Sequence, residues 1–505
     1  MLSLLLACET EPDASVPLHV DDGVELGEVL ACADPAPATT YTEVGESWGL
    51  QAPLNRFDQH EESPSIATGD IDGDGLDDVV IVNSNGNSHQ YRSTGAGFEV
   101  VDISKLITSN LGILLFDTDG DGDLDLMLGG ATPRTLTNTA GTFSAGPALP
   151  VLPAETVGEN VMAHEFAPGD LDGDGVLEFY VPSTYNFDDF EVQFNDMILK
   201  GGEDVWQYDV DTVPPAVGER HGMDALWFDA DADGDQDVYV VNDFGMLQGS
   251  STLLRNDGGV LTSLEESCYC AALFNAKGVD VDDFDGDGRV DIYVSANPFN
   301  TLFQQLADGT FVDVSTSVNA WAVDADATGW GGIFVDFDND GQRDLFPAQG
   351  DRWNPAVDHP RVTVPMKLLR QDGGWFSDVA GDLGLSATGS FRAVSALDLN
   401  ADGVEDLLIT QIEDRPQLYL SDSCTEAGWL EVEAPIGSRV QVEAGGRTQT
   451  NWVKTDAGYQ SHRAPRVHFG LGEAETIDRL TVTLPDGRAL AATGIEARRR
   501  VVVPG

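Results

Sequence analysis

One nine-residue phrase, Asp-x-Asp-x-Asp-Gly-x-x-Asp, recurs seven times along the 505-residue chain and limits what the chain can fold into more than any other feature. The first copy runs Asp70, Asp72, Asp74, Gly75, Asp78, and the second Asp117, Asp119, Asp121, Gly122, Asp125. The third is Asp170, Asp172, Asp174, Gly175, Glu178, and the fourth Asp229, Asp231, Asp233, Gly234, Asp237. Then come Asp283, Asp285, Asp287, Gly288, Asp291, and Asp336, Asp338, Asp340, Gly341, Asp344. The last is Asp398, Asn400, Asp402, Gly403, Asp406. Successive copies start 47, 53, 59, 54, 53 and 62 residues apart. A unit of that length cannot bury a core alone, so neighbouring copies must stack.

The spacing also dictates chemistry. Side chains at positions 1, 3 and 5 converge only if the chain curls sharply, and the glycine at position 6 tolerates the positive φ that the curl needs. The carbonyl at position 7 and the carboxylate at position 9 then close a cage made wholly of oxygen. Several negative oxygens around one point suit Ca²⁺. Without a cation they would repel or protonate. The chain is expected to bind up to seven Ca²⁺, with the site containing Asn400 the weakest because it has one charge less. An EF-hand needs a glutamate at position 12 and flanking helices. Here position 12 is Ile81, Leu128, Val181, Val240, Val294, Pro347 or Ile409. The loops run instead into short apolar segments such as Val79–Val82 and Ile292–Val294, which read as buried strands.

About fifty residues hold four short strands, the content of one propeller blade. The expected fold is all-β: a seven-bladed β-propeller with calcium-binding loops over residues 41–424, followed by a small β domain over 425–505. The seventh repeat lacks a fourth strand before Cys424. Tyr41-Thr-Glu-Val44 has the character of that strand and is expected to close the ring, removing two free sheet edges. Cys32 and Cys424 flank this closure and are expected to be bridged. Cys268 and Cys270 are left as a tight pair or as free thiols. Residues 9–40, acidic and rich in Pro and Ala, read as a flexible spacer.

Composition narrows the function. The formal charge of −61, from 87 acidic against 26 basic residues, excludes recognition of nucleic-acid phosphates through a basic face. It also disfavours electrostatic docking on an anionic membrane. At 41% hydrophobic residues the chain is not a disordered acidic polymer. Residues 425–505 carry ten acidic and ten basic residues, so the excess lies upstream and marks a boundary near Cys424.

Three resemblances add to this. Residues 1–8, Met-Leu-Ser-Leu-Leu-Leu-Ala-Cys8, look like a bacterial lipoprotein signal, which implies lipidation at Cys8 and an extracytoplasmic, cell-surface or outer-membrane location, or secretion. The match departs from the usual pattern in lacking a positive n-region and in having a short apolar core. The loop-plus-strand repeat resembles the FG-GAP/VCBS repeats of integrin-α-type propellers. Ile436-Gly-Ser-Arg-Val440, Gly458-Tyr-Gln-Ser-His462, Val467-His-Phe-Gly-Leu-Gly472 and Leu480-Thr-Val-Thr-Leu-Pro-Asp-Gly487 look like an ASPIC/UnbV domain. Together they resemble the cartilage acidic protein family and its bacterial members, which implies an extracellular calcium-binding protein.

Two functions fit. One is a binding or adhesion module for an extracellular protein or glycan, with Ca²⁺ mainly structural and any membrane contact through the lipid anchor alone. The other is a calcium-dependent lyase or hydrolase acting on acidic polysaccharide. The sequence contains no Gly-x-Ser-x-Gly and no His-Glu-x-x-His, so no catalytic residue is assigned. His60, His164, Arg220, His221, Trp330 and Arg392 all precede a calcium loop by a few residues. If these segments enter their blades from the far face, the six are expected to gather at the central mouth as a site for an anionic sugar. The competing expectation is that they pack between blades.

Overall fold

The computed structural model describes residues 19–20, 23–30, 32, 36, 38–51, 64–83, 86–107, 111–153, 161–185, 195–201, 206–218, 220–321, 323–324, 326–351, 362–421 and 424–504. Cys8 and His60 lie outside them, as does the whole signal-like stretch.

Among the described residues seven antiparallel sheets of four propeller strands follow one another along the chain, and each carries one acidic loop between its first and second strands. The first strands are Ser65–Gly69, Ile113–Phe116, Ala167–Gly169, His221–Phe228, Asn275–Asp282, Ala327–Val335 and Phe391–Leu397. Second strands such as Asp78–Val82 and Asp406–Gln411 are buried along their whole length. That is why they read as continuous apolar runs rather than as alternation. Fourth strands such as Phe98–Asp102 are the exposed outer edges. First strands of successive sheets pack side by side, and Phe391–Leu397 of the last returns to Ser65–Gly69 of the first. Between the second and third sheets the contact is an apolar cluster that includes Leu114, Met127, Phe166 and Phe179. The result is a β-propeller.

Closure is as expected. Tyr41–Glu43 pairs antiparallel with Gln417–Ser421 and completes the seventh sheet, with Tyr41 opposite Ser421. Arg415 adds a bidentate contact to Glu43 at 2.7 and 2.8 Å. Cys32 and Cys424 are disulfide-bonded with Cα atoms 5.8 Å apart. Cys268 and Cys270 are bonded to each other.

The C-terminal domain is a sandwich of two sheets around Leu430, Val432, Val440, Val442, Phe469, Leu480 and Val501. It is not purely antiparallel, because Gly428–Glu433 runs parallel to Arg499–Val502. The stretch read as a spacer contributes to it at two points. His19–Val20 pairs with Ala489–Glu496, and Glu25–Leu26 with Arg499–Val502, so each covers an otherwise free edge of one sheet.

Candidate metal centres and a plugged hub

The seven loops share one hydrogen-bond plan. In the first, Asp70 Oδ1 accepts the N–H groups of Gly73 and Asp74 at 2.8 and 3.1 Å, while Oδ2 accepts that of Gly75 at 2.8 Å. The carboxylate at position 9 clamps the loop to the sheet. Asp78 Oδ2 takes the Ile71 N–H at 3.1 Å and Oδ1 takes the Ser93 N–H of the third strand at 2.7 Å. The same clamp is made by Asp125, Asp237, Asp291 and Asp406. Gly75 takes φ +89° at the curl, and the glycines at this position in the other loops take similar values.

The donor sets fit a hard divalent cation. Asp70, Asp72 and Asp78 each present an oxygen within 4.8 Å of the others, as do the equivalent residues of the second, third and fourth loops. Some oxygens are buried with no hydrogen-bond partner: Asp72 Oδ1, Asp229 Oδ1, Asp338 Oδ1 and Asp344 Oδ2. Such orphans are uncommon in a folded protein and point to a ligand. Without a cation, burial pushes the Asp78 and Asp283 carboxyls up to about 7 and those of Asp237, Asp291 and Asp336 up to about 8, aided by neighbouring loop carboxylates. A bound cation inverts that logic.

A second repeated device is invisible in the nine-residue phrase. Asn138, Asn256, Gln305 and Gln371 each stand on a third strand. Each donates its side-chain amide to the position-2 carbonyl of the preceding sheet's loop: Ile71, Leu171, Ala230 and Phe284, at 2.6 to 2.8 Å. These amides stitch one sheet to the loop of its neighbour. Their recurrence near the end of these four third strands is the signal the sequence carries for them.

The central mouth is where the structure departs from expectation. The C-terminal sandwich sits on the acidic-loop face and sends residues 453–463 down the axis. Ser461–His462 pairs parallel with Ile66 and Ala67 as a fifth strand on the first sheet. At the tip, the Gly458 N–H donates to Val279 O at 3.2 Å. A Cβ at Gly458, where φ is +73°, would lie 3.0 Å from the backbone of Gly332, so a side chain there would be strained. Tyr459 packs on both Trp330 and His164. Gln460 Nε2 lies 3.2 Å from Nδ1 of the His164 ring, while its Oε1 accepts the Gly112 N–H at 2.8 Å.

Of the expected ligand site, His164, Trp330 and Arg392 do meet at the hub, with the Arg392 guanidinium 4.1 Å over the Trp330 ring. Arg392 is 0% exposed and His164 3%. Arg220 pairs with Glu265 at 2.7 Å and His221 bonds Thr184 at 2.9 Å. The cluster is therefore not an open mouth. Tyr459 and Gln460 of the plug cover His164, Tyr459 covers Trp330, and Arg220, His221 and Arg392 are buried too. Burial lowers the His164 and His221 imidazoles to about 3 and about 4, so both are neutral at ordinary pH.

The base of the sandwich grips the loops themselves. The Gly470 N–H donates to Asp336 Oδ2 at 3.0 Å, His468 bonds Asn339 at 2.6 Å, and the Trp429 indole closes over Gly403. Arg466 pairs with Asp77 at 2.6 Å and Lys454 with Asp280 at 2.9 Å. The neutral C-terminal segment thus directs part of its basic complement at an acidic wheel.

Family comparisons agree with this architecture. The FG-GAP-like repeat matches residues 70–128, 229–294 and 283–346, and ASPIC and UnbV matches 432–504. The chain is an FG-GAP-like repeat propeller carrying an ASPIC/UnbV domain. It is similar to cartilage acidic protein 1 of Homo sapiens, 21% identical over 476 residues that cover 76% of this chain and 70% of that protein. The Xenopus tropicalis protein of the same name is 24% identical over 472 residues, covering 75% and 71%. An Agrocybe aegerita lectin that recognises non-reducing terminal N-acetylglucosamine overlays with TM-score 0.40 at 17% identity, covering 63% of this chain and 79% of its own. The exotype rhamnogalacturonan lyase YesX overlays with TM-score 0.37 at 13% identity, covering 94% and 76%. Both overlays are too loose to bear on function. No helix among the described residues is long and apolar enough to cross a membrane.

Proposed function

We propose that this protein is an extracytoplasmic binding module. Its wheel is stiffened by Ca²⁺ in the acidic loops, and it offers the face away from the C-terminal sandwich to an extracellular protein or glycan. The observation that carries this is an apolar patch on that face. Phe274, Phe299 and Trp321 form an edge-to-face row with centroids 6.1 and 6.0 Å apart. Phe299 is 46% and Trp321 41% exposed, and Met246, Leu247 and Leu273 lie exposed on neighbouring loops. Exposed aromatic residues gathered in this way mark recognition surfaces. Beside them is a cleft of about 490 Å³ lined by Asn297, Pro298, Phe299, Trp321, Asp324 and Lys367. It combines apolar walls with a few polar groups, as ligand clefts do.

The loops support the calcium half of the reading through their all-oxygen donor sets and orphaned oxygens. The lyase or hydrolase reading loses support, because His164 lies against Tyr459 and Gln460 and Arg220, His221 and Arg392 are buried as well. A lipid on Cys8 would hold the module at a membrane surface, and mass spectrometry of the N-terminal peptide tests that.

The test of the binding face is a screen of extracellular glycans and proteins with the native chain, repeated with Trp321→Ala and Phe299→Ala. Binding lost in both variants, with unchanged melting, supports the reading. Binding that survives both substitutions overturns it.

A further inference from the structure

Outside the acidic loops, one cluster of titratable groups stands apart. Glu165 precedes the first strand of the third sheet, and Asp224 lies in the first strand of the fourth. Asp456 and His462 flank the tip of the plug and face each other across an isolated bridge. All four are buried, at 0%, 0%, 2% and 1% exposure. His462 Nε2 is 3.0 Å from Glu165 Oε1, and Nδ1 is 2.9 Å from Asp456 Oδ1. Glu165, Asp456 and His462 each present a ligand atom within 4.8 Å of the others.

A second observation is independent of that gathering. Both oxygens of Glu165, Asp456 Oδ1, Asp224 Oδ1 and both nitrogens of His462 make no hydrogen bond, although none reaches solvent. The short nitrogen–oxygen separations lack hydrogen-bond geometry. Asp224 Oδ2 accepts the Val279 N–H at 2.9 Å. Two buried ammonium groups of the hub are engaged elsewhere, Lys277 with Asp243 and Lys454 with Asp280. Three carboxylates and one imidazole thus share a dry space. Uncompensated, that arrangement is strongly unfavourable.

We propose that Glu165, Asp456 and His462, with Asp224 buried next to them, hold one divalent transition-metal ion at the hub, in a closed site that fastens the plug to the wheel. The ligand chemistry separates this ion from those of the loops. The loops offer oxygen alone, which suits Ca²⁺. The hub adds an imidazole nitrogen, which suits zinc, iron or manganese. All ligands come from the protein and solvent is shut out, which is the character of a structural site rather than a catalytic one. Glu165 belongs to the propeller and Asp456 and His462 to the C-terminal domain, so the ion joins the domains where they interpenetrate.

The experiment uses the full chain, expressed in medium supplemented with zinc, iron and manganese and purified in excess Ca²⁺. Elemental analysis is expected to find one equivalent of a transition metal per chain. Chain unfolded in chelator and refolded with Ca²⁺ and Co²⁺ is expected to show visible absorption bands of nitrogen-ligated cobalt. In Glu165→Gln and His462→Gln the equivalent disappears while calcium content is kept. Loss of a direct ligand should exceed the roughly 10–100-fold weakening that outer partners cause. Where a variant fails to fold, the native-chain metal count and cobalt spectrum decide alone. Calcium as the sole bound metal, with no cobalt band after refolding, overturns the proposal in favour of carboxyl groups that share protons. Undiminished transition-metal content in both folded variants overturns it too.

Discussion

Tyr459 of the C-terminal sandwich packs its ring against Trp330 of the sixth sheet with centroids 5.1 Å apart, and so places one domain's side chain inside the other's axis. Removing a buried aromatic side chain costs about 3–5 kcal/mol. Tyr459→Ala is therefore expected to destabilise the whole protein by an amount in that range in urea unfolding. It should also open the link between the domains to proteolysis. A variant with native stability and native cleavage would show that the plug is not what holds the domains together.

Chelation should act on the wheel as a whole. If free Ca²⁺ stands at about ten times a site's Kd, each ion adds roughly 1.4 kcal/mol. Seven loops then contribute about 10 kcal/mol, comparable with the stability of an entire domain. EGTA is expected to lower the melting temperature steeply. The loop containing Asn400 should release its ion first, because it has one carboxylate fewer. Calorimetry in buffered Ca²⁺ checks both, and a melt indifferent to EGTA removes the structural role of calcium.

The bridge between Cys32 and Cys424 spans 392 residues. Cross-linking so long a loop stabilises by about 6 kcal/mol if the effect is purely on the unfolded chain, an upper figure. Paired substitution of both cysteines by serine should lower the midpoint of denaturation, with the outer edge of the seventh sheet exchanging amide hydrogens first. Equal exchange there in both proteins would mean that strand pairing alone secures the closure.

His221 gives the protein an acid-sensitive element. Burial is the main cause of its lowering to about 4, with Lys277 acting the same way and Asp243 opposing. The folded state thus binds this proton less readily than the unfolded chain does. The contribution is complete above the unfolded value of about 6.5 and is lost as pH falls towards 4. The depression corresponds to roughly 3 kcal/mol. His221→Gln is expected to flatten the stability profile between pH 6.5 and 4, read by denaturant titration at several pH values. An unchanged slope would place the acid sensitivity elsewhere.

The wheel was legible in the sequence because its signal is local and repeated. Each loop carries its own turn, its own acids and the strand that follows, and Tyr41–Glu43 declared itself by being absent from the seventh repeat. The hub was not legible, because its partners lie far apart in the chain. His164 and Trp330 looked like surface ligands until Tyr459 and Gln460 were seen to cover them. Nothing in the alternating pattern of residues 425–505 shows that its Gly458–His462 stretch leaves the sandwich. Glu165 stands in no catalytic phrase, and Asp456 and His462, which it meets, lie nearly three hundred positions downstream. The edge strands at 19–20 and 25–26 were missed for a similar reason. Two-residue pairings carry no periodicity, and acidic, proline-rich surroundings mask them.

The strand Tyr41–Glu43 is made before any of the wheel, yet its partner at Gln417–Ser421 is made after nearly all of it. A ribosome releasing this chain would hold an orphaned ribbon through the synthesis of every intervening sheet. Pairings of such sequence separation form slowly and leave sticky edges uncovered meanwhile. Keeping that early segment available until the last sheet arrives, rather than maturing sheet by sheet, is the biosynthetic demand that this circular topology imposes.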